Sequence, residues 1–537
     1  MVYVMKKEIK GQTYYYEYES YREKGKVKHR YVRYLGKSTY LRKPFSSPDD
    51  LTVLHSLEYG AVAALYTIAE RIGLSEVIYR ETMKGGGEHL GKLLEIMVIN
   101  RCLEPMSRNR LPLWYEKTVL PFLVNIPLGK VHPQILYNAM DYLTDAAILR
   151  IQKVLFRNIG RVYGIDTSTV FYDLTSSYFE GTECSLGEFG HSTDHRPDKL
   201  QITIGLGVDR DCIPITHMVF SGSVRDVTTV QDFRSRLRSE FGLDAVVVVI
   251  DRGMISKDNL DCLQAGGSHY VVARKMGARE RKVVQGIPDD RFIRVVLTTY
   301  SDEYKVLLTE QMVDDRRWVI CWNKEKEADD RLFRETMIGK SVQALERIKK
   351  GCGRRNLKTK EQVYHAVHKE IEHYKTKKFF SIEINERGSP RLQFSLKTTE
   401  IEQAQRLDGK YILETSSSDL TCSDVVQVYH ERDVIEKFFQ MLKDIIGLRP
   451  TYVYKEQHVK AHVFICVLAV LLLSLLRKTL RESGRNMTSL KALEILDGIK
   501  RVEFSIRGGK EVLVRTTKIT DKQQEIISIL NIGPPSL

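Results

Sequence analysis

AVVVVIDRG, residues 245–253, holds five consecutive β-branched residues at 246–250 and then breaks off at Asp251. An apolar run without alternation reads as a central strand buried on both faces. Arg252-Gly253 turns the chain at once, so Asp251 stands at the C-terminal end of that strand, where open α/β sheets collect their ligands. An aspartate there also suits a plain turn or helix cap.

Upstream, STVFYDLTSSYF (168–179) and LQITIGLGVDRDCIPITHMVFSG (200–222) are β-rich, with Asp209-Arg210-Asp211 as a hairpin turn. RDVTTVQDFRSRLRSEF (225–241) has helical period. An antiparallel group followed by strand, helix and strand argues for a mixed α/β sheet flanked by helices. Asp173 sits inside the first of these strands and shares a face with Phe171. A carboxylate on a half-buried face needs a cation, whereas on an exposed face it needs nothing.

Downstream, 276–405 is charged and β-rich with one helical patch, and reads as a mostly β insertion. It contains Trp318 and Trp322, which share a strand face with Ile320, as core side chains would. GKYILETS (409–416) returns the chain to the sheet, and Thr421 with Asp424 nearly matches a capping box. The helix VVQVYHERDVIEKFFQMLKDIIGLRP (425–450) follows, stopped by Gly447 and Pro450. At about 100° per residue, Tyr429, Arg432, Glu436 and Lys443 form one polar stripe, while Val428, Ile435, Phe439, Leu442 and Ile446 form the apolar one. Glu436 thus lies at the edge of the buried face.

Asp173, Asp251 and Glu436 are three hard oxygen donors from distant segments, a set that suits Mg²⁺ or Mn²⁺. Two such ions about 3.5–4 Å apart serve in-line displacement at phosphorus. Arg432 and Lys443 beside them would grip flanking phosphates, and so favour phosphate over a sugar substrate.

Tyr429, Arg432, Glu436 and Lys443 match a Y-(2)-R-(3)-E-(6)-K signature, and the surroundings FYDLTSSYFEG, HSTDHRPDKLQITIGLGVD, FSGSVRDVTT and VVVVIDRGMIS match as well. On these residues the chain resembles the DDE transposases of bacterial and archaeal insertion sequences that carry this signature. It departs at Ser223, where the pattern carries Asn. The resemblance implies an RNase H-like fold interrupted by the insertion, with Asp173, Asp251 and Glu436 holding two ions. It implies cut-and-paste transposition on double-stranded DNA, at element ends and target, by a homodimer. It also implies passage through a hairpin with an insertion-domain tryptophan, Trp318 or Trp322, against a flipped base. Arg196, Arg252 and Arg449 are expected as further DNA contacts beside Tyr429, Arg432 and Lys443. The alternatives are an RNase H-like nuclease that cuts without joining, and a DNA-binding remnant without catalysis.

The rest of the chain is consistent with such a partner. A net charge of +14 and a pI near 9.1 attract an anionic polymer. The longest apolar run, 463–476, is shorter than the roughly 20 residues of a spanning helix, and the N-terminal stretch lacks a signal-type apolar region. No membrane partner and a cytoplasmic, nucleoid-associated location are expected. The eight cysteines are scattered without zinc-ligand spacing. His458 and His462, four apart, suit metal ligation or a capped core helix.

Six segments are expected. Residues 1–45 form a small β module in which Tyr14, Tyr16 and Tyr18 alternate, Gly25 turns the chain, and Lys26, Lys28, Arg30 and Arg33 either contact phosphates or charge an edge strand. Residues 46–160 are helical, a helix-turn-helix-like reader or an ordinary bundle. The catalytic core occupies 161–275 and 406–479 around the 276–405 insertion. Residues 480–537 form a small helical tail that serves dimerisation.

Overall fold

The computed structural model describes residues 2–533 except 11, 24–25, 38–50, 83–86, 191, 266, 299–302, 355, 386–388 and 507–511. The turn expected at Gly25 lies outside the described residues. The chain divides into two compact units, one of residues 1–64, 115–125 and 491–537, the other of 65–114 and 126–490.

The first unit opens with an antiparallel sheet of β1 (Val2–Ile9), β2 (Gln12–Glu23) and β3 (Lys26–Lys37), in that order. β4 (Leu51–Glu58) follows.

In the second unit, β5 (Thr169–Tyr178), β6 (Gln201–Val208), β7 (Pro214–Ser221), β8 (Val247–Ile250), β9 (His269–Arg274), β10 (Ile293–Thr298), β11 (Glu303–Val313), β12 (Arg316–Trp322) and β15 (Lys410–Thr415) build one nine-stranded sheet. Their order is β10-β11-β12-β15-β9-β8-β5-β6-β7. β5, β8 and β9 run parallel at its centre, and the remaining pairs are antiparallel, so the sheet is mixed. One central face, with Val170, Tyr172, Val248, Ile250 and Val272, packs under helices Asp226–Phe241 and Lys257–Ala265 through Phe233, Leu237, Leu260 and Leu263. Gly207 is needed there: a Cβ would stand 2.5 Å from the Phe233 ring, which stacks on Tyr172 at 3.9 Å.

The segment 276–405 departs from the expectation of a mostly β insertion. β10, β11 and β12 extend the main sheet, because RRWVICW pairs along β15 from Arg317↔Thr415 to Trp322↔Lys410. What is inserted between β12 and β15 is largely helical: Lys324–Gly351 and Lys360–His373, with the hairpin β13 (Phe380–Asn385) and β14 (Arg391–Leu396). Leu345, Val363, Val367, Ile371, Phe380 and Leu392 give it its own core. Helix Lys324–Gly351 is hard to see in sequence because so many of its positions are charged and so few are buried.

A bidentate pair of Arg334 with Asp408, both buried, ties that helix to the turn before β15. Removing one partner strands a buried charge, so Asp408→Ala is expected to destabilise the unit by about 3–5 kcal/mol. Urea unfolding followed by tryptophan fluorescence measures it, and an unchanged midpoint contradicts the assignment.

The tail is not wholly helical. β16 (Lys500–Ile506) and β17 (Val512–Thr516) close a second sheet of the first unit in the order β17-β16-β4. Helix Glu456–Glu482 is long and apolar enough to cross a membrane, yet 94% of its most apolar window is buried inside the protein. It packs on helices Leu90–Leu103 and Pro133–Asp141 and on β7. Its apolarity is that of a core helix.

Candidate active site

The topology of β5 and β8 brings two of the carboxylates together. The strands are parallel with Tyr172 opposite Ile250, so the next residues, Asp173 and Asp251, come side by side. Asp251 leaves the strand at its C-terminal end and caps the turn Arg252–Met254, accepting the Gly253 N–H at 3.0 Å. Asp173 remains within β5, opposite Leu206 of β6.

The polar stripe does not lie on one continuous helix, as its spacing suggests. Helix Cys422–His430, opened by a full Thr421–Asp424 capping box, ends at Glu431, and a second helix runs Asp433–Gln440. At the junction the bonds tighten to i→i+3: Arg432 N to Tyr429 O, Val434 N to Glu431 O and Ile435 N to Arg432 O. Such a turn eclipses residues three apart, and the Arg432 guanidinium lies 5.5 Å from the centre of the Tyr429 ring. Met441–Ile445 then widens into a π turn, in which Ile446 N reaches Met441 O, and Gly447 at φ +69° ends it. Overwinding and then underwinding re-aim the four signature side chains.

Helix Cys422–His430 packs on β9 and helix Asp433–Gln440 on β5. Arg432 joins the site into one unit: its Nη1 donates to Asp251 Oδ1 and its Nη2 to Glu436 Oε1 at 3.1 Å. The Glu436 side chain is 56% exposed and that of Asp251 41%, whereas that of Arg432 is 19%. The carboxylates therefore open to solvent around a shielded guanidinium.

The charges are unevenly compensated. Burial pushes the Asp173 carboxyl up to about 7, and Asp251 and Glu436 push the same way against the Leu174 N–H and Arg432. Burial also acts to raise Asp251, but the Gly253 N–H and Arg432 outweigh it and hold that carboxyl below its ordinary value. Burial would lower Arg432, yet Tyr429, Asp251 and Asp173 raise it.

Lys443 turns away from the three carboxylates. Its Nζ donates to Asp194 Oδ1 at 2.6 Å and to Thr193 Oγ1 at 2.9 Å. Arg449 reaches the same Asp194 oxygen and also Asp444 at 2.7 Å. Burial lowers the Lys443 ammonium despite Asp194, while Asp444 and Asp194 overcome burial to raise Arg449. Asp194 Oδ2 is buried without a hydrogen-bond partner among the described residues. Thr193 is tied to β5 by reciprocal bonds with Ser176 at 2.7–3.2 Å. Asp194 was within reach of sequence reasoning through HSTDHRPDKL, but nothing local marks an Asp that meets residues some 250 positions away.

Other expected contacts fall elsewhere. Arg196 forms a two-point pair with Asp198 at 2.8–2.9 Å, over the Tyr178 ring, and Arg252 is exposed. Trp318 and Trp322 are buried, 2% and 8% exposed, in a core with Ile320, Ile412 and Phe292. Arg274 covers the Trp318 ring at 4.8 Å, and Lys324 covers Trp322 at 3.3 Å. Neither ring offers a free face for base contact, because the core side chains and these cations cover them. His458 bonds Asp141 at 2.7 Å, and buried His462 contacts Arg108 and Leu448 O. These histidines do not converge on a common point.

Carboxylate oxygens are the hard donors that Mg²⁺ or Mn²⁺ requires, and Asp173, raised first by burial and then by Asp251 and Glu436, is a carboxyl that a nearby cation would favour in its charged form. The donor set fits a divalent cation. As placed, no three His, Cys, Asp or Glu side chains among the described residues close on one point. Arg432 spans Asp251 and Glu436 instead, bonding one oxygen of each.

No curated protein matches the chain. A solved structure similar to it is the piggyBac transposase synaptic complex with hairpin DNA, at 10% identity and a TM-score of 0.35 over 89% of this chain and 82% of that one, a likeness too distant to transfer any property. The family described as "Transposase DDE domain" matches residues 186–472, more than half of the 537, including Asp194, Asp251, Arg432, Glu436 and Lys443 but not Asp173. The chain belongs to the transposase DDE domain family.

Proposed function

We propose that this transposase cuts double-stranded DNA at the ends of its element and joins the freed 3′ ends to a target, using Asp173, Asp251 and Glu436. One observation carries the reading: Asp173 and Asp251 are adjacent in register at the sheet centre, with Glu436 linked to Asp251 through Arg432. The parallel centre β9-β8-β5 with antiparallel β6 and β7 supports an RNase H-like core. The Y-(2)-R-(3)-E-(6)-K spacing supports the insertion-sequence branch of the family.

The three carboxylates would hold two Mg²⁺ or Mn²⁺ ions, which when bound supply electrophilic activation of the phosphodiester. The protein's own contribution is positional. Arg432 exchanges its two carboxylates for phosphate oxygens, which a planar guanidinium can bind with two bonds at once. Asp173, whose carboxyl burial raises to about 7, carries a proton part of the time at neutral pH, and a bound cation would displace that proton. Lys443 and Arg449 are anchored by Asp194 as a cationic pair beside the site. Second-strand cleavage through a hairpin, action as a homodimer and a nucleoid-associated cytoplasmic location complete the proposal. The buried tryptophans give the hairpin no support.

The test is incubation of the protein with its own flanking DNA, a second DNA and Mg²⁺, followed by mapping of the ends. Joined products are expected. Cleavage without joining selects the nuclease, and binding without cleavage the silent remnant.

Asp194→Asn should remove the carboxylate that Lys443 and Arg449 share, leaving Arg449 with Asp444, and lower the cleavage rate about tenfold or more with DNA affinity changed far less. Asp194→Glu should restore part of the rate. Equal loss of rate and affinity, measured by single-turnover cleavage and gel shift, contradicts a positioning role.

A further inference from the structure

The sheet β1-β2-β3 of the first unit sorts its side chains by chemistry. One face carries six tyrosines, Tyr3, Tyr14, Tyr16, Tyr18, Tyr31 and Tyr34, with Lys7 among them. Tyr31 and Tyr34 are three apart and would point to opposite faces of a regular strand. A register shift at Glu17/Tyr18 absorbs one residue and brings both beside Tyr16. The rings then form a continuous strip: successive centroids from Tyr3 through Tyr18, Tyr31, Tyr16 and Tyr34 to Tyr14 are 6.2, 5.9, 6.2, 5.3 and 6.3 Å apart. Lys7 Nζ stands 5.8 and 6.0 Å from the Tyr16 and Tyr18 ring centres.

The charges are segregated with equal sharpness. Glu8, Glu17 and Glu19 alternate with these residues and so point to the opposite face. There Glu19 pairs with Arg30 at 2.6 Å and Glu17 with Arg33 at 2.5 Å. The arginines that the sequence offers to phosphates are thus on the other side and already neutralised. Among the described side chains the aromatic face holds a cation and no carboxylate, and Tyr31 and Tyr34 remain 52% and 46% exposed.

We propose that this face binds single-stranded DNA, with unpaired bases stacked on the tyrosine strip and the phosphate backbone drawn by Lys7. Stacking platforms interleaved with positive charge are what unpaired strands require, since each base has a π face. A duplex keeps its base faces covered, so the tyrosine rings would find nothing to stack on. A second copy is disfavoured because a face with a cation and no carboxylate is not complementary to itself. The site does not depend on the catalytic carboxylates, so it is measured in EDTA, where cleavage is absent.

The experiment uses the full-length protein and an oligothymidine of about 20 nucleotides carrying 5-iodouracil. Irradiation followed by peptide mass spectrometry is expected to place crosslinks on Tyr16, Tyr18 or Tyr31. Combined Tyr16→Ser and Tyr31→Ser should weaken oligothymidine binding about tenfold in fluorescence anisotropy, while Phe at both positions keeps it, because phenyl rings also stack. The paired change Tyr15→Ser and Tyr21→Ser on the opposite face should have no effect. Crosslinks confined to other segments overturn the proposal even if the serine variant fails to fold. So does unchanged affinity in a folded serine variant, or a self-association lost in that variant while oligothymidine binding persists, which assigns the face to a second copy.

Discussion

Asp251→Asn is expected to lower Mg²⁺-dependent cleavage of element-end DNA by about a thousandfold or more while binding of that DNA persists. The amide keeps the size of the carboxylate and can still accept the Gly253 N–H that fixes the turn, so the local fold has no reason to change. What disappears is one negative charge of three, and with it the anionic oxygen that a hard cation prefers. Arg432 loses its tightest partner and retains Glu436, which leaves it freer to meet a phosphate and argues against any loss of affinity. Gel analysis of end cleavage beside a gel shift separates the two quantities. Cleavage retained in Asp251→Asn sinks the assignment of this residue, and affinity lost in parallel would mean that it acts in binding.

Asp173→Asn should have effects of opposite sign on activity and stability. Cleavage is expected to fall as far as in Asp251→Asn. In EDTA at pH 8, however, the variant should melt about 2 °C or more above the parent protein. The sign follows from linkage. The Asp173 carboxyl titrates near 7 in the fold, against 3.8 as its ordinary value, so the fold holds a proton that the unfolded chain releases. Its contribution is fully present below about pH 4 and is lost as pH rises through 7, where the half-buried carboxylate ionises without enough positive charge beside it. Asparagine cannot ionise, so the difference between variant and parent should shrink toward pH 4 and grow toward pH 8. Thermal melts across that range check it. A variant that melts lower than the parent at pH 8 contradicts the account. Added Mg²⁺ should raise the parent's melting temperature and leave the variant's much less changed.

The sequence by itself determined those parts of the protein that rest on local pattern. The β-branched run before Asp251 could only be an interior strand, and the polar spacing from Tyr429 to Lys443 placed Glu436 beside an arginine on a helix. The 225–241 period gave helix Asp226–Phe241, and Asp209 to Asp211 gave the β6–β7 turn. Each needs only a few neighbours along the chain, because side-chain period follows from backbone geometry.

Tertiary structure alone decided which elements meet. Period records that a face is apolar, not what covers it. Thus the Tyr172↔Ile250 register that sets Asp173 beside Asp251 had no local signature. Nor did the pairing of β12 with β15, which joined β10, β11 and β12 of the expected insertion to the main sheet. The break at Glu431–Arg432 and the π turn after Gln440 were hidden because a helical wheel assumes one uniform twist, whereas packing and Arg432's carboxylates fix it locally. Asp194, β16 and β17 became legible only with their distant partners, since burial and charge compensation are properties of the assembled chain.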